Sequence, residues 1–102
     1  MIIPKQFQIL NTVVSVEFDP MFASLTNCLG QARYHENRII LQTPSQEYTE
    51  GVIYQTFLHE MIHFILDKIG ESELRANEKF VDLFASALDQ VEQSSIYEVE
   101  DL

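Results

Sequence analysis

Cysteine occurs once in this chain, at Cys28. A single thiol excludes an internal disulfide and suits a reducing compartment. Its distance in sequence from the histidines points to a buried structural thiol rather than a metal ligand. Basic residues are also scarce. Six Lys and Arg stand against sixteen Asp and Glu, a net charge of −10, which disfavours direct binding to DNA, RNA or an anionic membrane. No apolar run is long enough to span a bilayer, and Met1-Ile2-Ile3-Pro4 is too short for a signal peptide, so the expected setting is cytoplasmic. Internal repeats, low-complexity tracts and linkers are missing too. At 102 residues the chain can build one domain around one modest core. That domain is read as residues 1–93, with an acidic tail over 94–102 that reads as a frayed end.

What is present is patterned. Phe7 and Ile9, then Val14, Val16 and Phe18, alternate with polar residues on either side of Asn11-Thr12, as in a β-hairpin. Asp19-Pro20 ends it, and residues 21–29 read as a short helix or a loop before Gly30. The segments 31–34 and 38–43 form a second hairpin around Glu36-Asn37, and a loop from Pro44 leads into a helix over about 48–69. Gly70 suits the position just past that helix. Ser72 suits an N-cap, with Glu71 and Glu73 complementing the dipole of a second helix over about 72–92. The expected fold is α+β: a small, mainly antiparallel sheet packed against two antiparallel helices.

The first helix contains His59-Glu60-Met61-Ile62-His63, an H-E-x-x-H run. Positions i and i+4 share a helix face, so His59 and His63 can aim two imidazoles at one metal ion. Glu60 is rotated aside, within reach of a water rather than of the metal. Two nitrogen ligands with a nearby general base form the core of a zinc hydrolase site. The run alone is only moderately specific, so its surroundings carry the argument. From His63 to Gly70 is about 10 Å of helix axis, and from Ser72 to Glu78 about 9 Å in the opposite direction. Glu78 should then lie level with His63, and Asp82 level with His59. Leu74, Val81, Ala85 and Leu88 mark an apolar stripe, flanked by Phe80 and Phe84, that contains Glu78 and borders Asp82. Val52, Ile62, Leu66 and Ile69 mark another that contains both histidines. Polar groups meeting across two apolar faces are most simply explained by a metal, because an unpaired carboxylate facing a core costs several kcal/mol.

His59-Glu60-Met61-Ile62-His63 followed by Glu78-Lys79-Phe80-Val81-Asp82-Leu83-Phe84-Ala85 resembles the small gluzincin-type metallopeptidases, and more narrowly the ImmA/IrrE-like and phage-encoded ones. The upstream run Arg38-Ile39-Ile40-Leu41-Gln42 is similar to the hairpin strand those families place before the motif helix. The resemblance covers roughly residues 5 to 92. It implies a minimal zincin-like metallopeptidase fold in a bacterial or phage-infected cell. It also implies one zinc per chain, with Glu78 as third ligand beside His59 and His63, and Asp82 as the acceptor that orients His59. A metzincin pattern would need Gly and His where this chain has Leu66 and Ile69. A di-iron bundle would need a second E-x-x-H, hence a symmetric dimer. His35, in the polar turn His35-Glu36-Asn37, reads as a solvated loop residue.

The function expected on this basis is hydrolysis of a peptide or protein substrate, with Glu60 as general base. Tyr34, His35, Tyr48 and Tyr54 are the candidates for steadying an oxyanion, and the sequence does not choose among them. The strand over 38–43 is expected at a sheet edge, where a bound peptide would pair with it. Two other classes remain open at this point. One is a zinc-binding, non-cleaving regulatory module. The other is a structural domain whose helices form an oligomer interface and hold no metal.

Overall fold

The computed structural model describes residues 2–98. The chain runs β1 (Gln6–Ile9), β2 (Thr12–Asp19), α1 (Phe22–Thr26), β3 (Gly30–Arg33), β4 (Arg38–Gln42), α2 (Glu50–Lys68), α3 (Ser72–Ala76) and α4 (Glu78–Ser94), with a 3-10 turn at Tyr34–Glu36 between β3 and β4. It is an α+β fold whose four strands lie in the order β1-β2-β4-β3. Both expected hairpins form. Ile9 faces Thr12 across a two-residue turn, Leu10-Asn11, with Leu10 at φ 52°, and Arg33 faces Arg38 across a turn closed by Asn37 at φ 50°. The ambiguous segment after Asp19-Pro20 contains helix α1. Gln42 holds this helix against the sheet, its Oε1 accepting from the Ala23 amide at 2.7 Å.

One strand lies elsewhere than the local pattern suggested. β4 is interior, paired antiparallel with β3 and in parallel with β2 from Ser15↔Arg38 to Asp19↔Gln42. Its flanking pairs leave it no open ladder. The edge facing the helices belongs to β3, which pairs with β4 alone. The reason is physical: Ile39, Ile40 and Leu41 are all buried, and an apolar run on both faces is the signature of a central strand.

α2 packs on β3 and β4 and also on α4. Being covered on two sides, it buries Ile53, Phe57, Leu58, Ile62, His63, Phe64 and Leu66, and its apolar residues spread around much of its circumference. Val52 and Ile69, expected in its buried stripe, are exposed. The helix ends in a Schellman motif: Glu71 N–H reaches Leu66 C=O and Gly70 N–H reaches Asp67 C=O, with Gly70 at φ +80°.

The second helix is broken in two. Asn77 is extended (φ −89°, ψ 91°) and its side chain caps α4 by accepting from the Phe80 amide at 3.0 Å. Glu71 rather than Ser72 holds the N-cap position of α3, without a side-chain cap bond. Glu78 therefore opens a new helix. Asn is among the strongest N-cap residues, which is the sequence signal for this break. Asn77→Ala is expected to lower stability by about 0.5–2 kcal/mol, read as a reduced urea midpoint at constant m. An unchanged midpoint would mean that the cap contributes nothing.

α4 buries only Val81 and Ala85, while Leu83, Phe84, Leu88 and Val91 stay exposed. Of the segment read as an acidic tail, Ser94 ends α4, residues 95–98 are exposed and outside any helix, and 99–102 lie outside the described residues. Cys28 is exposed in the loop before β3, not buried as its composition-based reading had it. Among the described residues, no helix is long and apolar enough to cross a membrane.

Candidate metal centre

α4 runs antiparallel to α2, and side-chain contacts give the register. His63 meets Glu78, His59 meets Asp82, and Gln55 meets Ser86, each step one helical turn on both helices. This is the alignment that the chain lengths around Gly70 predicted. It brings His59, His63 and Glu78 together, with one ligand atom from each within 4.8 Å of the others.

The donors converge on a common centre. His59 Nε2 lies 3.1 Å from His63 Nε2, Glu78 Oε2 lies 3.2 Å from His59 Nε2, and Glu78 Oε1 lies 3.2 Å from His63 Nε2. Three donors about 2.0–2.1 Å from a tetrahedral ion would be separated by roughly 3.3 Å. The Asp82 contact, which favours the Nδ1-protonated tautomer of His59, points the same way. His59 Nδ1 lies 2.8 Å from Asp82 Oδ1, so the ring proton sits on Nδ1 and the lone pair of Nε2 is directed at the other two donors. A cation placed among the three donor atoms would satisfy all of them at once. The residues present fit a metal ion.

The two histidines are held differently. Asp82 orients His59, whereas the His63 side chain is only 8% exposed and is fixed by packing. His63 Nδ1 is buried without a hydrogen-bond partner among the described residues. The carboxylates depart from expectation: the side chains of Glu78 and Asp82 are 67% and 70% exposed, at the rim of the site rather than inside a buried stripe. The stripe positions beside them, Phe84 and Leu88, are exposed too, because α4 packs mainly on α2 and presents one flank to solvent.

Glu60 does not join the donor cluster. It lies against β3, accepts a hydrogen bond from the Ala32 amide, and has its carboxyl pushed above the usual range by burial, an effect opposed by His59 and His63. The sequence carried no sign of the Ala32 contact, since a backbone donor has no residue type. Its accompanying signal is Gly30. A Cβ there would sit 2.7 Å from Thr56 Cγ2 and 3.0 Å from Leu41 Cδ2, so only glycine lets β3 approach α2 this closely. Thr56 cannot turn away freely, as its hydroxyl donates to the Val52 carbonyl at 2.9 Å. Gly30→Ala should destabilise the fold by about 1–3 kcal/mol, visible as a lower melting temperature. An unshifted melt would show that β3 has room to move.

Of the four oxyanion candidates, Tyr34 is the one in the neighbourhood of the site. Its phenol pKa is raised by burial, lowered by Arg75, and raised by Glu60, Asp67 and Glu78. Its ring packs on Phe64 at 5.2 Å, and the Arg75 guanidinium lies 5.1 Å over it. Arg75 also pairs with Asp67 at 2.5 Å, tying α3 to α2 just before Glu78. His35 is exposed in the 3-10 turn, as a solvated residue should be. Tyr48 is half-buried in the loop before α2. The Tyr54 hydroxyl is engaged by Glu92 on the C-terminal half of α4.

Comparison with curated proteins and with solved structures finds no significant match. Comparison with protein families does, over residues 5–99. The match agrees with the metallopeptidase-like class expected from the two motifs and does not carry the narrower ImmA/IrrE-like assignment. With His59, His63 and Glu78 gathered as a possible metal site inside the matched region, the chain belongs to the SprT-like family, a zincin-like, metallopeptidase-related group.

Proposed function

We propose that this protein is a zinc-dependent peptidase in which His59, His63 and Glu78 hold the ion and Glu60 is the general base. The observation that carries the reading is the convergence of three donor atoms at 3.1–3.2 Å, with a half-buried carboxylate, Glu60, beside them but outside the cluster. Zinc is favoured by the donor set, two imidazoles and one carboxylate. When bound, it would supply the Lewis-acid chemistry of amide hydrolysis.

The chain's own residues do the rest. Asp82 holds the His59 ring by its Nδ1 proton and keeps Nε2 a donor. The Ala32 amide fixes Glu60 against β3, where its carboxylate can take the proton of the attacking water and pass it to the leaving amine. Tyr34 is the side chain best situated to face a developing oxyanion. An extended substrate would add to the free edge of β3, the role the sequence had suggested for residues 38–43.

The test is direct. Zinc-loaded protein is incubated with an unfolded protein such as reduced casein, and new termini are read by mass spectrometry. Cleavage that a chelator abolishes and zinc restores is expected. Full zinc occupancy with no cleavage of any unfolded substrate would exclude the peptidase and leave a metal-binding module.

A further inference from the structure

Beside the metal donors lies a cavity of about 350 Å³, bounded by α2, α4 and the start of β3. It runs along α2 from Glu60 to Val52, about 12 Å of helix axis. Leu29, Val52 and Ala85 give it apolar walls. Its polar groups are more telling, because most of their donors are already engaged. The Thr56 hydroxyl donates to the Val52 carbonyl at 2.9 Å, and the Gln55 amide nitrogen donates to Ser86 Oγ at 2.7 Å. His59 Nδ1 is taken by Asp82 Oδ1 at 2.8 Å. What remains is one N–H of the Gln55 amide and a larger set of acceptors: Gln55 Oε1, the second oxygen of Asp82 and the Glu60 carboxylate. No Lys or Arg lines it.

We infer that this cavity receives the substrate side chain next to the scissile bond and selects a lysine or arginine. The inference rests on the peptidase reading above and names its substrate class. A long cationic side chain lays its methylene stem along Leu29, Val52 and Ala85 and presents only donors to a site in which acceptors, two of them carboxylates, predominate. Norleucine, of similar length, fills the walls but leaves those acceptors without partners. Glutamate meets Glu60 and Asp82 as like charges. The net charge of −10 acts in the same direction at long range, drawing basic segments toward the protein.

The experiment uses full-length zinc-loaded protein and neutral peptides through which one Arg, norleucine or Glu is moved. Cleavage positions are read by mass spectrometry, and affinities for the Glu60→Gln protein by fluorescence anisotropy. Expected is an order Arg > norleucine > Glu in both readouts, with steps of about five- to tenfold that shrink with added salt. Gln55→Lys, which places a cation in the cavity, should reverse the order of Arg and Glu. Val52→Glu, at a residue 47% exposed, should widen the gap between Arg and norleucine. Cleavage with norleucine equal to or above Arg, or an order that neither variant moves, overturns the inference while leaving the peptidase intact. Absence of cleavage for every peptide overturns the peptidase reading, and the affinity order alone then decides: Arg preferred and lost in Gln55→Lys upholds the cavity's selectivity, and equal affinities end it.

Discussion

Glu60→Gln is expected to lower peptide hydrolysis by about 10²–10⁴-fold while leaving the metal content unchanged. The substitution preserves size, and an amide oxygen still accepts from the Ala32 N–H, so β3 stays in contact with α2. What is lost is the ability to take up a proton. Glu60 is absent from the donor cluster of His59, His63 and Glu78, which is why the metal should remain. Metal stoichiometry by plasma mass spectrometry and kcat/KM on the peptides above provide the two readouts. Undiminished hydrolysis would place the base elsewhere. A Glu60→Gln protein that keeps its biological effect would favour the non-cleaving module over the enzyme.

His63→Ala is expected to abolish metal binding, measured by titration calorimetry on protein stripped with a chelator. Its side chain is the least exposed of the donors. Asp82→Ala should retain the ion with affinity reduced by roughly 10–100-fold, because His59 then loses the acceptor that fixes its ring and tautomer. Glu78→Ala is the sharper test of the ligand set. Both of its oxygens lie 3.2 Å from an imidazole nitrogen, so its removal should weaken binding more than the loss of Asp82. Equal or greater loss in Asp82→Ala, with Glu78→Ala unaffected, would reassign the carboxylate ligand to Asp82.

Much of the site was legible because its rules are local. The four-residue spacing of His59 and His63 puts them on one helix face whatever surrounds the helix. The distance from His63 to Gly70 and back to Glu78 sets the level of the third donor, since axial rise is a property of the backbone. That level survived even though the return is made by two helices, because the break at Asn77 comes immediately before Glu78. The Asp82 contact with His59 follows from the same arithmetic, one turn on.

Other features depend on partners remote in sequence. Ile39, Ile40 and Leu41 announce a buried strand, yet nothing near them says that β2 will pair with β4 in parallel and push β3 to the edge. The exposure of Glu78, Asp82 and Phe84 depends on α4 packing on α2 instead of on the sheet, a choice between two apolar surfaces that the 3.6-residue period cannot distinguish. Cys28 reads as a buried thiol, but it is exposed in the loop before β3.

By itself, then, the sequence determined the elements, the pair of imidazoles and the carboxylates level with them, because hydrogen-bond periodicity and axial rise act within a few turns of chain. Only the tertiary structure decided which strand borders the metal donors, how open the carboxylate side is, and that Gly30, the Ala32 amide and the acceptor-lined cavity meet at Glu60. Those depend on which apolar faces bury one another, and burial is a property of the assembled layers rather than of any segment.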